Sequence, residues 1–236
     1  MARPEFESAL IVGAGVGLSA SLARLFSQQG WKVSLAARTP DDLAGLCGET
    51  GAKAYQCDAA DETSVADLFA ALDADGRTPD VVVYNPSARQ RAAFLELEPE
   101  KVKNAIMVSA YGGFLVAHEA VKRMLPKSNG AVLFTGASAS VKGYPHSAPF
   151  AMGKFALRGL AQSMARELAP QGVHVAHFII DGGIRNATRQ GRMDGPENPD
   201  SMLCPDAIAE SYLHVALQDK SAWTWEIELR PWVENF

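Results

Sequence analysis

The stretch Ser8-Ala-Leu-Ile-Val12-Gly13-Ala-Gly15-Val-Gly17-Leu18-Ser19 decides how the rest of the chain is read. Its first five residues make a short apolar run, as a buried strand requires. Glycines at every second position from Gly13 to Gly17 then form a tight turn. Leu18, Leu22, Leu25 and Phe26 follow at the offsets of one helix face, so strand, turn and helix come in that order. Gly30 suits the left-handed end of this helix.

Further runs of strand length lie at 32–37, 53–57, 80–84, 131–135, 174–180 and 224–229. Helical patterns separate them. One opens at Thr39-Pro40-Asp41-Asp42, with a capping hydroxyl, a proline for the first helical position and acids for the first turn. Another carries Val65, Leu68, Phe69 and Leu72, and longer ones run over about 99–124, 149–168 and 205–217. Strands alternating with helices predict an α/β, three-layer fold with a seven-stranded parallel sheet covered on both faces. No repeat or linker divides the 236 residues, so residues 1–236 are expected to form a single domain. The one long loop, 185–201, is rich in Gly, Asn, Pro and Asp, and the segment 185–204 is expected to serve as a lid over a substrate.

Composition excludes several classes. Hydrophobic residues are 47% and charged residues 21%, as in ordinary globular proteins. With 22 basic and 27 acidic residues the net charge is −5, which argues against nucleic acid as a partner. No apolar run approaches the roughly 18 residues that span a bilayer. The start, Met1 to Glu7, lacks the apolar core of a signal peptide, so no membrane association and a cytoplasmic location are expected. Cys47, Cys57 and Cys204 are too scattered for disulfides or zinc and read as reduced core thiols. His174 and His177, three apart in a strand, point to opposite faces, so no metal site is expected there.

At the end of a first strand, a glycine turn lets the backbone approach a pyrophosphate resting on a helix N-terminus. Leu18 stands where the usual GxGxxG has its third glycine. The second strand ends in Ser34-Leu-Ala-Ala37-Arg38-Thr39, with an arginine and no acid. A free ribose 2′-hydroxyl calls for an acid, and a 2′-phosphate for the planar fork of an arginine, so NADP(H) is expected rather than NAD(H).

Over essentially its whole length this pattern resembles the short-chain dehydrogenase/reductase superfamily, whose fold is a Rossmann domain. The family glycine motif TGxxxGxG is met at Gly13 and Gly17, and Val12 and Ser19 depart from it. The resemblance implies that Asp58 contacts adenine and that the Ile184 backbone holds the nicotinamide carboxamide. It also implies that Asn85 is the surviving asparagine of the NNAG turn, here Tyr84-Asn85-Pro86-Ser87, while Asp181 replaces a family proline. Cofactor binding is thus expected at Gly13, Gly15, Gly17, Leu18, Arg38, Asp58, Asn85, Lys154 and Ile184.

On the catalytic side the family uses a tyrosine as proton donor and a lysine four residues later, one helical turn away on the same face. Here Phe150-Ala-Met-Gly-Lys154 keeps the lysine and replaces the tyrosine with Phe150, which has no proton to give. The family serine falls on Ala137, with Ser138 and Ser140 close by, and the helix asparagine falls on Ser109. A donor displaced to Tyr144 or His146 is a candidate, because an imidazole titrates in the physiological range. Loss of a general acid weakens catalysis by typically 10²–10⁴-fold without abolishing it. The expected function is therefore an NADP(H)-dependent oxidoreductase acting on a small-molecule carbonyl or alcohol through Lys154, Ser138, Ser109 and His146 around Phe150. The alternative is a non-catalytic NADP(H)-binding sensor or scaffold. Arg185, Arg189 and Arg192 fit an acidic substrate, the cofactor phosphate or a solvated basic face. Trp223, Trp225, Trp232 and Phe236 read as a tail with exposed aromatics, and a homodimer or homotetramer is expected.

Overall fold

A computed structural model describes residues 4–234; the readings that involve Met1 to Arg3, Asn235 and Phe236 lie outside the described residues. In chain order the elements are β1 (Ser8–Val12), α1 (Leu18–Gln28), β2 (Lys32–Ala37), α2 (Ala44–Thr50), β3 (Lys53–Gln56), α3 (Glu62–Ala74) and β4 (Val81–Tyr84). Then come α4 (Pro99–Ile106), α5 (Gly112–Met124), β5 (Gly130–Thr135), α6 (Ala148–Leu168) and β6 (Val173–Ile180). The short pair β7 (Gly183–Ile184) and β8 (Met202–Leu203), α7 (Pro205–Ala216) and β9 (Glu226–Leu229) complete the chain.

Side chains of β1 alternate, Ala9 and Ile11 packing with α1 and α7, Leu10 and Val12 with α3 and α5. Each face of one sheet is thereby sealed by helices, the arrangement in which near-continuous apolar strands stay buried. The sheet has seven strands in the order β3-β2-β1-β4-β5-β6-β9, and every neighbouring pair is parallel. The order reverses between β1 and β4, and in such sheets a crevice opens there beyond the carboxyl ends of the strands.

The seven predicted strands are all present, and several sequence readings need correction. Thr39 makes no capping hydrogen bond, because a 3-10 turn at Pro40–Leu43 intervenes before α2. The predicted helix over 99–124 is interrupted by a π turn at Met107–Tyr111, which faces α6 with Ser109 fully buried. There the Tyr84 hydroxyl donates to the Val108 carbonyl at 2.5 Å. Only Cys57 is buried, and burial pushes its thiol up to about 11. Cys47 sits on α2, which buries no residue, and Cys204 caps α7. Of the tail aromatics, Trp232 is 83% exposed, whereas Trp223 stacks on His174 at 4.6 Å and Trp225 lies under Arg158. Among the described residues no helix is long and apolar enough to cross a membrane.

Candidate active site

A cleft of about 940 Å³ lies along the strand ends from β2 to β6. Its size is that of a site for a ligand as large as a dinucleotide's reactive half or more. All nine residues expected to bind cofactor line it: Gly13, Gly15, Gly17, Leu18, Arg38, Asp58, Asn85, Lys154 and Ile184. Phe150 lines it as well. Ser138, Ser109 and His146 do not, and neither does Tyr144. The short loop ahead of α6 carries Tyr144 and His146 out to solvent, His146 with a positive φ of 59°.

The glycine turn is locked from both sides. Gly13 has φ 77°, and a Cβ there would lie 2.7 Å from the Pro86 nitrogen. Gly17 has φ 92°, and its Cβ would lie 3.2 Å from Asn186 Nδ2 in the loop that follows β7. Asn85 Nδ2 donates to Ser19 Oγ at 2.8 Å, and Ser19 Oγ donates to the Gly13 carbonyl at 3.1 Å. Gly15 faces open space, the α1 N-terminus has no side-chain cap, and its first turn holds no acid. The positive end of the helix dipole is thus left for an anion such as a pyrophosphate. Arg38, at the end of β2, is exposed in the cleft without an acidic partner among the described residues. Asp58 closes its own turn by accepting from the Ala60 amide at 3.0 Å. The residues present therefore fit a dinucleotide carrying an extra phosphate.

The loop over this turn is tied down. Arg185 pairs with Asp194 at 2.7 Å, Asp194 accepts from the Met202 amide at 2.9 Å, and β7 pairs with β8. Residues 185–201 thus return to their starting point, with Asn186, Arg189 and Arg192 facing the cleft.

Lys154 lies at the other end of the cleft. Lys154 is 2% exposed, and its Nζ donates to the Thr135 carbonyl at 2.7 Å. Burial, aided by the nearby Arg89 charge, lowers its pKa to about 7. Ala137, Ala139 and Phe150 form a small apolar cluster, so the two positions expected from the resemblance to hold a serine and a tyrosine pack together as hydrocarbon. Ser140 is fully buried; its Oγ accepts from the Ala137 amide at 3.1 Å and lies 3.3 Å from His177 Nε2. His177, whose pKa burial pushes down to about 4, is also buried, and Glu226 beside it is held by Arg158. This chain of contacts links the segment after β5 to β6 and β9 and reaches the cleft only through the backbone of Ala137. One residue the sequence reading overlooked is Arg89, which lines the cleft with its guanidinium 3.9 Å from the Phe150 ring centroid. A basic residue soon after the altered turn that follows β4 was the available signal.

Known proteins share this architecture. A solved short-chain dehydrogenase from Rhodopseudomonas palustris is 33% identical and superposes with a TM-score of 0.82, over 96% of this chain and 99% of that one. An alcohol dehydrogenase from Thermococcus sibiricus, complexed with 5-hydroxy-NADP, is 24% identical with a TM-score of 0.82 over 98% and 99% of the two chains. Short chain aldehyde dehydrogenase 1 of Euphorbia lathyris is 28% identical over 180 residues, 73% of this chain but only 62% of that protein's length. The profile of the short chain dehydrogenase family matches residues 7–193. By this match and by the glycine turn, parallel sheet and Lys154 that it spans, the chain belongs to the short chain dehydrogenase family.

Proposed function

We propose that the protein is an NADP(H)-dependent oxidoreductase that interconverts a small carbonyl compound and its alcohol. The observation that carries this reading is the presence of Arg38, without an acidic partner among the described residues, and a buried, cleft-lining Lys154 at the two ends of one cleft. The Thermococcus sibiricus alcohol dehydrogenase, complexed with an NADP derivative, supports the choice of cofactor. NADPH, when bound, supplies the hydride that the carbonyl carbon takes up. Lys154 then has the remaining task. A group held near neutrality is well matched to proton transfer at physiological pH. The carbonyl oxygen takes the Lys154 proton, the alcohol leaves, and solvent returns a proton to the amine. The loop 185–201, tied at both ends, covers the cleft as the lid.

The cluster of Ala137, Ala139 and Phe150 favours a second reading, a protein that binds NADP(H) without turnover. NADPH consumption with a panel of ketones and aldehydes separates the two. Consumption supports the oxidoreductase; tight NADPH binding with no consumption leaves the sensor or scaffold. Exposed Phe114 on α5 and Met152 and Phe155 on α6, at 44%, 50% and 45%, support self-association as a homodimer or homotetramer. Light scattering should return two or four times the chain mass.

A further inference from the structure

Two sets of arginines contrast in their partners. Arg24, Arg123, Arg158, Arg185 and Arg230 each meet a carboxylate. Arg89, Arg189 and Arg192, which face the cleft beyond the glycine turn, meet none among the described residues. The acids of the described cleft lining, Asp42 and Asp58, follow β2 and β3 at the opposite side of the sheet. The half of the cleft beside Lys154 is therefore lined by positive charge alone. Partial loss of hydration in the cleft, then the charges of Arg192, Arg189 and Arg91, lowers the Arg89 pKa, as expected for cations gathered without a counter-ion.

The placement of Arg89 adds direction. Its guanidinium carbon lies 3.9 Å from the Phe150 ring centroid, within cation–π range, and among the described residues no acceptor meets its N–H edge. That edge is the one a guanidinium uses for two parallel hydrogen bonds to a carboxylate or phosphate. A tyrosine hydroxyl at position 150 would extend from the ring on which the guanidinium rests. Phenylalanine leaves that surface wholly apolar and suited to a stacked cation.

We propose that the substrate is an anionic carbonyl compound whose carboxylate or phosphate is held by the Arg89 edge, with Arg192 as a supporting charge, beside Lys154. The proposal rests on the reading of the cleft as a substrate site. Arg89 is here a specificity-determining residue, oriented by Phe150, and Lys154 remains free for the proton.

Calorimetric titration tests this independently of turnover. Acetoacetate, its methyl ester and dihydroxyacetone phosphate are titrated into the native protein, Arg89→Met and Arg89→Lys, each with and without saturating NADP+; NADPH consumption is followed in parallel. The charge-assisted pair predicts that native protein binds one of the anions about 10–100-fold more tightly than the ester. Arg89→Met should erase that ratio, and Arg89→Lys should keep part of it. Which anion is preferred distinguishes a carboxylate from a phosphate. Anion preference with no NADPH consumption would sustain the anion site while overturning the oxidoreductase reading. Equal binding of acids and ester, no binding of either anion, or a preference that survives Arg89→Met would overturn the proposal.

Discussion

The two halves of the cleft differ in how they are built. On the cofactor half, backbone conformation and short polar contacts fix a turn that any dinucleotide-binding chain of this fold needs. Gly13, Gly17, Ser19 and Asn85 hold one another in place, and no one of them alone carries the chemistry. On the catalytic half, single side chains decide the chemistry, and two of them, Ala137 and Phe150, are hydrocarbon. Fold and cofactor binding depend on many contacts and proton transfer on one or two groups, so the two halves answer differently to single substitutions.

The strongest way to break this comparison is at Lys154. Lys154→Met keeps the volume and removes a cleft group brought near neutrality by burial. NADPH consumption should fall by about 100-fold or more, the scale of a lost general acid. Unchanged turnover would remove the lysine from the chemistry. The reverse change sharpens the contrast: Phe150→Tyr adds a donor one helical turn before Lys154, and turnover of neutral ketones should rise by about tenfold. A full restoration is not expected, since Ala137 supplies no serine hydroxyl.

Seven strands, most of the helices between them and the residues that line the cofactor half of the cleft were legible in the sequence, for a common reason. Apolar runs, glycines at a turn and an arginine rather than an acid directly at the end of β2 are local signals, and the fold converts them to position. The catalytic half was less legible because it depends on where loops point. The segment 143–147 places Tyr144 and His146 in solvent, a result of loop geometry that no residue type announces. Arg89 acquires its place only when the turn after β4 meets α6, two segments about sixty residues apart. The π turn around Ser109 likewise follows from packing against α6.

Smaller effects address stability. Gly13→Ala places a Cβ against Pro86 at a φ that L-residues rarely adopt. Thermal unfolding should register a loss of about 2 kcal/mol, roughly 4–8 °C. A catalytic-half change such as Phe150→Tyr should leave Tm within about 2 °C. The pH dependence of stability is subtler. Folded Lys154 releases its proton at about 7, whereas an unfolded lysine keeps it to about 10.4. Between those values the unfolded chain binds more protons, so this residue makes stability rise with pH. Below about 7 both states are protonated and the burial cost is felt in full. Urea unfolding of the free protein at pH 7 and pH 9 should show this gain, and Lys154→Met should lack it.

Selectivity of the cofactor half for the 2′-phosphate is measured by titrating NADPH and NADH against the native protein and Arg38→Ala. NADPH should bind the native protein at least about tenfold more tightly than NADH, and Arg38→Ala should lose that preference while still binding NADH. Equal affinity for both cofactors in the native protein, or binding of neither, would contradict it.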